Sequence, residues 1–447
     1  MPDRNATHVA FLGAAAATLD DHRASGGGQA LAAARARGGD AVVDELVRSG
    51  LRGRGGAGFP TGVKWRTVRD SPAGTKYAVC NAAEGEPGTF KDRWLLRRNP
   101  YQVLEGLAIA ADAIGASRAY VAVKATFARE LARLERAAAE MSSDGLLGEL
   151  PIEVIAGPDH YLFGEEKAML EVIEGRLPLP RILPPYQVGL FAAAMAPNPT
   201  VVNNVETLAH VVPIVRDGAE RFRSVGTDAS PGTMLFTLSG DVQRPGVYEV
   251  ALGTPLRALI DDVGGGPLPG RRIKAVFPGA SNAVLTADQL DTALDFDAMR
   301  AAGSGLGSGG FVVYDDSACV VGATAAFSRF LFVESCGQCP ACKEGSRKIT
   351  ACLERVERGT GTEADLDTVV ERCRSVTGGS RCGLPDGESL LVRSAVERFR
   401  DEFVAHLSRG CPRPRRLPFP DLKDFDEQAG QFVLAGPHAY DVERVGG

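Results

Sequence analysis

Cys336-Gly337-Gln338-Cys339-Pro340-Ala341-Cys342 places three cysteines within seven residues, while the other six cysteines of the chain are scattered. The nearest histidines along the chain are His210 and His406. Iron–sulfur clusters are held by four thiolates, three of which often come from one tight run. Zinc sites more often combine paired CxxC units or cysteine with histidine. The run therefore predicts an iron–sulfur cluster, with zinc or purely structural thiols as the alternatives.

The fourth thiolate has to come from elsewhere in the chain, and Cys352, Cys373, Cys382 and Cys411 are the candidates. Cys352 and Cys373 fall inside helical patterns, where a cysteine is more often a small core residue. Cys382 lies in the loop 378–387 between two predicted helices that could fold back on the cluster. This placement favours Cys382 over the others.

Outward from the cysteine run, residues 326–411 have helical periodicity. Leu366, Val369, Val370 and Cys373 follow the i, i+3, i+4, i+7 pattern of one helix face. We expect a short helical bundle here, with one late helix continuing from Leu390 through Leu407. The tail 412–447 is rich in proline and charge and is expected to be irregular.

Residues 41–225 alternate between β-rich runs and helical patterns. The predicted strands are Lys76–Cys80, Ala119–Val123, Ile152–Ala156 and Thr200–Val202. The predicted helices are Val42–Arg48, Tyr101–Ile114, Phe127–Met141 and Glu165–Ile173. Such alternation predicts an α/β domain with a mainly parallel sheet. Residues 230–325 are predicted to form a small α+β domain of the β-grasp type, and residues 1–40 a poorly ordered lead-in with at most one helix.

A glycine-rich segment, Leu51–Phe59, contains a G-x-G-x-x-G match at Gly53, Gly55 and Gly58. A helical pattern precedes it where a dinucleotide-binding Rossmann unit would have a strand, so the Rossmann interpretation is weak. Four glycines in six residues still allow close backbone approach to a ligand, and N–H groups at a following helix start suit a phosphate. A flexible surface loop is the alternative.

Three polar segments stand at predicted strand ends or helix starts: Asn81–Thr89, Gly164–Glu166 and Asn203–Thr207. Parallel α/β sheets bind ligands at the carboxyl ends of their strands, which makes these segments candidate site loops. The alternative for each acidic pair is an ordinary charged first helical turn.

The overall composition argues against nucleic-acid binding and against a membrane-spanning protein. A formal net charge of −6 argues against a nucleic-acid partner. The sequence contains no uninterrupted run of about 18 or more apolar residues, so it does not predict a transmembrane helix. We therefore expect any membrane contact to come through partner proteins.

Taken together, these motifs resemble one family, the NADH-binding 51 kDa flavoprotein subunit of respiratory complex I, with relatives in NAD-linked hydrogenases and formate dehydrogenases. The segments that carry the resemblance are Gly53–Trp65, Cys80–Arg93, Gly164–Glu166, Asn203–Thr207 and Glu334–Gly345. The resemblance covers roughly residues 45–410. It implies an FMN-binding α/β domain, a ubiquitin-like (SLBB-type) domain and a helical domain with a [4Fe–4S] cluster.

The resemblance also implies roles for individual residues. The cluster ligands would be Cys336, Cys339, Cys342 and Cys382. The flavin would be held by Gly53, Arg54, Gly55, Gly56, Gly58, Lys64, Asn81, Glu84, Gly164, Glu165, Asn203, Asn204 and Thr207. NADH, the substrate, would stack on Phe59, with Tyr186 as a further stacking surface, and approach Glu86 and Glu166. The implied activity is hydride transfer from NADH to FMN, followed by single-electron transfer to the cluster.

The implied partners are a thioredoxin-like [2Fe–2S] subunit and larger iron–sulfur subunits. The expected location is the cytoplasm, with contact to the inner face of the cell membrane only through a complex.

Three positions depart from the family pattern. Ala83 replaces an Asp of the flavin pocket, Thr67 a second stacking Phe, and Leu183 a Lys before Pro184-Pro185-Tyr186. Two alternatives therefore stay open. The chain could take electrons from a different reduced carrier, or it could serve only as an iron–sulfur electron relay.

Overall fold

The structure is a computed structural model, and it describes residues 11–12, 15–193, 195–411 and 417–435. The chain divides into two compact units. The first comprises residues 1–85, 90–235 and 249–254, and the second comprises residues 86–89, 236–248 and 255–447. Among the described residues, no helix has both the length and the apolar character that crossing a membrane requires.

The first unit is built on a four-stranded sheet in the order β3-β2-β1-β4. Its strands are β1 (Tyr77–Ala82), β2 (Arg118–Lys124), β3 (Ile152–Gly157) and β4 (Thr200–Asn204). All three strand pairs are parallel, as the sequence predicted. The carboxyl ends of the strands therefore share one edge of the sheet, where α/β proteins place their ligands.

In the part of the first unit that the structure describes, ten helices accompany this sheet. They are α1 (Leu19–Ala24), α2 (Gln29–Arg37), α3 (Gly39–Ser49), α4 (Thr61–Arg69), α5 (Lys91–Arg98), α6 (Pro100–Ile114), α7 (Ala128–Ser143), α8 (Glu166–Ile173), α9 (Val205–Asp217) and α10 (Ala219–Arg223), with a 3-10 turn at Tyr161–Gly164. Helices α6 and α9 are almost entirely buried and pack directly on each other. Gly106 permits this approach, since a Cβ there would lie 2.0 Å from the Leu208 carbonyl oxygen.

The amino-terminal segment holds two packed helices where the sequence suggested a poorly ordered lead-in with at most one. The carboxylate of Glu105, buried in α6, accepts hydrogen bonds from the backbone N–H groups of Gly28 and Leu31 at 2.9 and 3.0 Å. It also contacts His22 Nε2 at 2.9 Å. Hydrogen bonds to one buried carboxylate add to the burial of Leu19, Ala30 and Leu31 in holding α1 and α2 in place.

A second sheet has five strands in the order β6-β5-β9-β7-β8, and most of their residues belong to the second unit. Its strands are β5 (Thr233–Gly240), β6 (Gly246–Ala251), β7 (Ile273–Phe277), β8 (Leu285–Thr286) and β9 (Gly310–Asp315). Strands β5 and β9 are parallel, whereas β7 is antiparallel to both β9 and β8. The short helices are α11 (Leu256–Ala258, continued by a π turn, Leu259–Val263) and α12 (Phe296–Ala301), with a 3-10 turn at Ala287–Gln289.

Longer helices follow the sheet in the second unit. They are α13 (Val320–Glu334), α14 (Pro340–Glu357), α15 (Glu363–Ser375), α16 (Leu384–Arg398) and α17 (Arg400–Arg409). The single late helix expected from Leu390 through Leu407 is wrong, because the chain leaves helical geometry at Phe399 (φ −120°, ψ 30°). The change of direction allows Phe403 and His406 of α17 to be fully buried.

The sequence predicted an irregular carboxyl-terminal tail, but part of this tail has regular structure. Strands β10 (Leu422–Asp426) and β11 (Gln431–Leu434) form an antiparallel hairpin. The preceding residue Phe419 is buried and packs against the rings of Phe327 and Phe330 of α13, with ring centroids 5.2 Å apart in each pair. Aromatic burial therefore fixes the start of this tail to the second unit.

Candidate functional site

Several polar side chains of the first unit lie together at the carboxyl edge of the parallel sheet. At the end of β1, Asn81 Nδ2 donates to the carbonyl oxygen of Gly164 at 2.7 Å, which joins the strand to the segment that precedes α8. At the end of β4, Asn203 Oδ1 accepts from Trp65 Nε1 of α4 at 2.7 Å. The structure thus brings together three of the four segments that the sequence singled out.

The glycine loop is the fourth of these segments, and it lies on the junction between β4 and α9. The backbone N–H of Gly53 donates to the Phe59 carbonyl oxygen at 2.8 Å, and that of Arg54 donates to Thr207 Oγ1 at 2.8 Å. A Cβ on Gly55 would lie 3.2 Å from Asn204 Cβ. Gly56 and Gly58 have φ angles of 122° and 62°, where side chains are strained. Helix α4 begins just after the loop, as a phosphate-binding loop requires.

Lys64 occupies the first turns of α4, and its ammonium faces the acidic segment of α8. Its Nζ donates to Glu166 Oε2 at 2.7 Å and to the Val202 carbonyl oxygen at 2.9 Å. About a third of the Glu166 side chain (35%) stays exposed. Two candidate stacking residues are also accessible, since Phe59 is 53% and Tyr186 41% exposed. These groups can meet a molecule arriving from solvent.

Three other predicted site residues use their side chains to hold the surrounding backbone. Arg54 is fully buried, which lowers its pKa to about 10, and its guanidinium donates to the carbonyl oxygens of Arg52 and Thr233. Glu84 Oε1 accepts from the Asp92 backbone N–H at 3.0 Å, and its Oε2 accepts from Arg93 Nε at 2.9 Å. Glu165 caps α8 by accepting from two backbone N–H groups, and burial raises its pKa to about 6. We therefore interpret these three as positioning residues.

A buried charge network beside Asn204 was not predicted from the sequence. The Nζ of Lys91, fully buried, contacts Glu206 Oε2 at 2.9 Å, Asp92 Oδ1 at 2.7 Å and Asn204 Oδ1 at 3.1 Å. Burial would raise the pKa of Glu206, but Lys91, His210 and Arg54 together outweigh it and lower that pKa to about 2. Asn204 Nδ2 donates to Asp92 Oδ2 at 2.6 Å. The network fixes the Asn204 amide beneath the glycine loop.

Glu86 belongs to the second unit and is not among the residues that the first unit gathers. Its Oε1 accepts from the Ala280 N–H at 2.7 Å and from Ser281 Oγ at 3.1 Å. Its predicted catalytic role therefore stays a prediction.

The cysteine run lies in the second unit, at the start of α14. Burial, followed by the nearby thiols of Cys382, Cys339 and Cys336, raises the pKa of Cys342 to about 12. These four cysteines are therefore close enough to act on one another electrostatically. Cys382 lies in a short turn before α16, which begins at Leu384 rather than after the expected loop.

The other three candidates for the fourth thiolate are placed differently. Cys352 and Cys373 are buried within α14 and α15, as their helical patterns indicated. Cys411 lies beside Cys319 and His406. Cys382 is the one candidate among the described residues that acts on Cys342.

Of the three residues that depart from the family pattern, Thr67 and Leu183 are exposed and Ala83 is buried. Thr67 is exposed and donates to the Val63 carbonyl oxygen, and Leu183 is 50% exposed. Ala83 is buried. Arg181, a nearby cation, forms ion pairs with Glu171 and Glu174, so its charge is already compensated.

Comparison with known proteins agrees with this architecture. Residues 46–213 match the Nuo51 FMN-binding domain, residues 235–282 the SLBB domain, and residues 322–406 the NADH-ubiquinone oxidoreductase-F iron-sulfur binding region. The NADH-quinone oxidoreductase F subunit 2 of Rhizobium meliloti (strain 1021) is 45% identical over 410 residues, which cover 88% of this chain and 96% of that protein. The chain belongs to the family of NADH-quinone oxidoreductase F subunits. The corresponding F subunit of Streptomyces coelicolor (strain ATCC BAA-471 / A3(2) / M145) is 41% identical, over 88% of this chain and 89% of that protein.

A solved structure of an NAD+-reducing [NiFe]-hydrogenase in the H2-reduced state is also similar, with a TM-score of 0.76 and 36% identity. The match covers 84% of this chain and 64% of the length of the hydrogenase chain. The predictions of family, of an NADH-oxidising enzyme subunit, and of FMN and a [4Fe–4S] cluster as cofactors are confirmed. Relatives in this family are subunits of multi-subunit complexes, which agrees with the expectation of partner proteins.

Proposed function

We propose that this member of the family admits electrons from NADH at a flavin site on the carboxyl edge of its parallel sheet. The observation that carries the proposal is the glycine loop, which rests on Asn204 and Thr207 directly before a helix start. Close backbone approach and helix N–H groups are what a flavin phosphate needs. The second unit adds the cysteines for a [4Fe–4S] cluster.

The residues of the first unit fit FMN in their chemistry. Gly53, Gly55, Gly56 and Gly58 supply backbone without side chains, and Lys64 supplies a cation on the first turns of α4. Asn81, Asn203, Asn204 and Gly164 supply amide and backbone groups at the strand ends. Arg54, Glu84, Glu165 and Thr207 act through the backbone they hold.

The chemistry that bound FMN would supply is acceptance of a hydride from NADH and release of single electrons towards the iron–sulfur cluster. The side chains have to orient the two reactants, since hydride transfer needs no general acid or base in this arrangement. Phe59 and Tyr186 offer exposed rings for stacking. Glu166 orients the Lys64 ammonium, and we propose that it also approaches the nucleotide.

We propose Cys336, Cys339, Cys342 and Cys382 as the ligands of the [4Fe–4S] cluster. Their mutual electrostatic influence and the turn position of Cys382 support this set. Helices α13, α14 and α16 are joined beside it by Ser328 Oγ, which donates to Glu388 Oε1 at 2.7 Å and contacts Thr350 Oγ1 at 2.9 Å. Burial raises the pKa of Glu388 to about 8, so this carboxyl can be neutral at pH 7. A neutral group adds no negative charge beside the thiolates.

We also propose that the chain contains a ubiquitin-like domain and a helical bundle and that it assembles with partner subunits. The strand order β6-β5-β9-β7-β8 supports a ubiquitin-like domain, and the helices that follow support a helical bundle. We propose a thioredoxin-like [2Fe–2S] subunit and larger iron–sulfur subunits as partners, with the chain in the cytoplasm and reaching the inner face of the membrane only through them.

The decisive experiment is anaerobic reconstitution of the full chain with FMN, iron and sulfide, followed by titration with NADH. We expect NADH to bleach the flavin absorbance, and dithionite serves as the control that bleaches any accessible flavin. A bound flavin that dithionite bleaches and NADH does not would point to a different donor. A chain that retains its cluster but binds no flavin would be an electron relay.

We further predict that NADH binding is weaker than the family pattern would give. Aromatic stacking contributes about 0.5–1.5 kcal/mol, and a hydrogen bond to a charged group about 1.5–3 kcal/mol. Arg181 is a poor replacement for the missing lysine, because it would have to leave its ion pairs with Glu171 and Glu174. Thr67→Phe combined with Leu183→Lys should lower the Kd for NADH about ten- to a hundred-fold.

The measurement for this prediction is flavin reduction as a function of NADH concentration. Thr67→Leu and Leu183→Met are the matched controls, since they change size without adding a ring or a charge. If neither the Phe nor the Lys substitution tightens binding, these positions do not line the nucleotide site.

A further inference from the structure

A second group of metal-binding side chains lies in the second unit, apart from the cysteine run. The ligand atoms of Cys319, His406 and Cys411 all lie within 4.8 Å of one another. Cys319 Sγ and His406 Nε2 are 3.3 Å apart. Cys319 and His406 are fully buried, and Cys411 is half-buried. Cys319, 87 residues before His406 in the sequence, therefore converges with His406 and Cys411 on one point.

The histidine is already oriented as a ligand. His406 Nδ1 lies 2.7 Å from the Glu402 carbonyl oxygen. Because a carbonyl oxygen can only accept, Nδ1 carries the hydrogen and Nε2 presents its lone pair towards Cys319. A backbone carbonyl in this position is the usual outer partner of a metal-bound histidine.

Cys319 is also held in place by a hydrogen bond. Cys319 caps α13, and its Sγ accepts from the Gly322 N–H at 3.2 Å. The Glu402 carboxylate fixes α17 to the same helix start, since its Oε1 accepts from the Val320 N–H at 3.0 Å. The two elements that carry Cys319 and His406 are thus held in place by their own hydrogen bonds.

We propose that Cys319, His406 and Cys411 bind one Zn²⁺ ion. Zn–S and Zn–N distances of about 2.3 and 2.0 Å in a tetrahedron separate sulfur from nitrogen by about 3.6 Å and two sulfurs by about 3.8 Å. The observed separation of 3.3 Å between Cys319 Sγ and His406 Nε2 is close to the first value, and the 4.8 Å limit on all three separations leaves room for the second. Two thiolates and one neutral imidazole bring the charge of the ion to zero, which a largely buried site requires. The fourth position is left to water.

This site is distinct from the iron–sulfur cluster. Cys319 stands at the amino-terminal end of α13, whereas Cys336 follows its carboxyl-terminal end. A helix of 15 residues is about 22 Å long. The zinc therefore plays no part in holding the cluster, and its three protein ligands tie the segment after α17 to the start of α13.

The proposal is tested by measuring metals in full-chain protein purified without a polyhistidine tag. We expect about one zinc per chain together with about four irons per chain. The zinc absorption edge should show two sulfur neighbours at about 2.3 Å and one nitrogen neighbour at about 2.0 Å. This measurement needs no variant, so a folding defect cannot obscure it.

Variants then assign the ligands. Cys411→Ser and His406→Gln should each lower the zinc content at least about tenfold while iron and FMN contents stay unchanged. Cys373→Ala, which removes a buried thiol of α15, is the matched control and should keep its zinc. A wild-type chain that binds no stoichiometric zinc, even after Zn²⁺ is added under reducing conditions, would overturn the proposal, and so would a Cys319–Cys411 disulfide in its place. Neither result would affect the flavin or cluster assignments, which have their own readouts.

Discussion

Replacing Cys382 with alanine is expected to reduce the iron content from about four atoms per chain to nearly none and to abolish the EPR signal of the reduced cluster. A [4Fe–4S] cluster needs four thiolates, and Cys336, Cys339 and Cys342 supply only three. Cys382 is the further cysteine among the described residues that acts on the Cys342 thiol. Iron analysis and EPR of the anaerobically reconstituted chain are the measurements.

Cys373→Ala is the control for this result. Its thiol is buried within α15, so the substitution removes one small core side chain and should leave iron and EPR signal in place. Loss of the cluster in Cys373→Ala with retention in Cys382→Ala would reverse our ligand assignment.

Replacing Gly55 with valine is expected to reduce FMN occupancy at least about tenfold while the iron content stays unchanged. The new Cβ would lie 3.2 Å from Asn204 Cβ, closer than an ordinary contact, and the two methyl groups of valine add further bulk. Asn204 has little freedom to move, since its amide contacts both Lys91 and Asp92. The loop would therefore have to shift from the position that we propose for the flavin phosphate. Flavin fluorescence after release from the protein gives the occupancy.

Gly74→Val is the matched control, because a Cβ at Gly74 has no neighbour within 4 Å. This variant should bind FMN as the unaltered chain does. The cluster belongs to the other compact unit, so iron content reports whether Gly55→Val has damaged more than the loop. Unchanged FMN occupancy in Gly55→Val would mean that the glycine loop is not part of the flavin site.

The parallel sheet could be predicted because its strands are apolar runs separated by helical patterns. Parallel strands put Asn81 and Asn203 on one edge, which made their segments candidates before any geometry was known. A helix start after the glycine loop was expected, and α4 provides it, but α5 was not predicted, since Lys91–Arg98 carries more charged residues than a buried helix usually does. Lys91 is buried with its charge compensated by the adjacent Asp92 and by Glu206, which lies more than a hundred residues later. Such pairing is invisible to a local pattern.

The same limit applies to the cysteines. The spacing of Cys336, Cys339 and Cys342 is a local pattern and predicted the cluster directly. Cys411 was one of several isolated cysteines in the sequence, and only the fold places it beside Cys319 and His406. The break at Phe399 was missed for a related reason, because the burial of Phe403 depends on the direction that α17 takes after the break.

The residues that follow the last long helix also matter to anyone who shortens this protein for expression. A proline- and arginine-rich stretch after Cys411 looks like a natural place to stop, yet Phe419 covers the rings of Phe327 and Phe330 from beyond it. The Gly88 N–H also donates to the Pro420 carbonyl oxygen at 2.8 Å. A truncated chain would expose two aromatic side chains to water and would be prone to aggregate. A boundary that keeps the hairpin has to lie beyond Ala435, whose N–H donates to the Asp421 carbonyl oxygen at 3.0 Å.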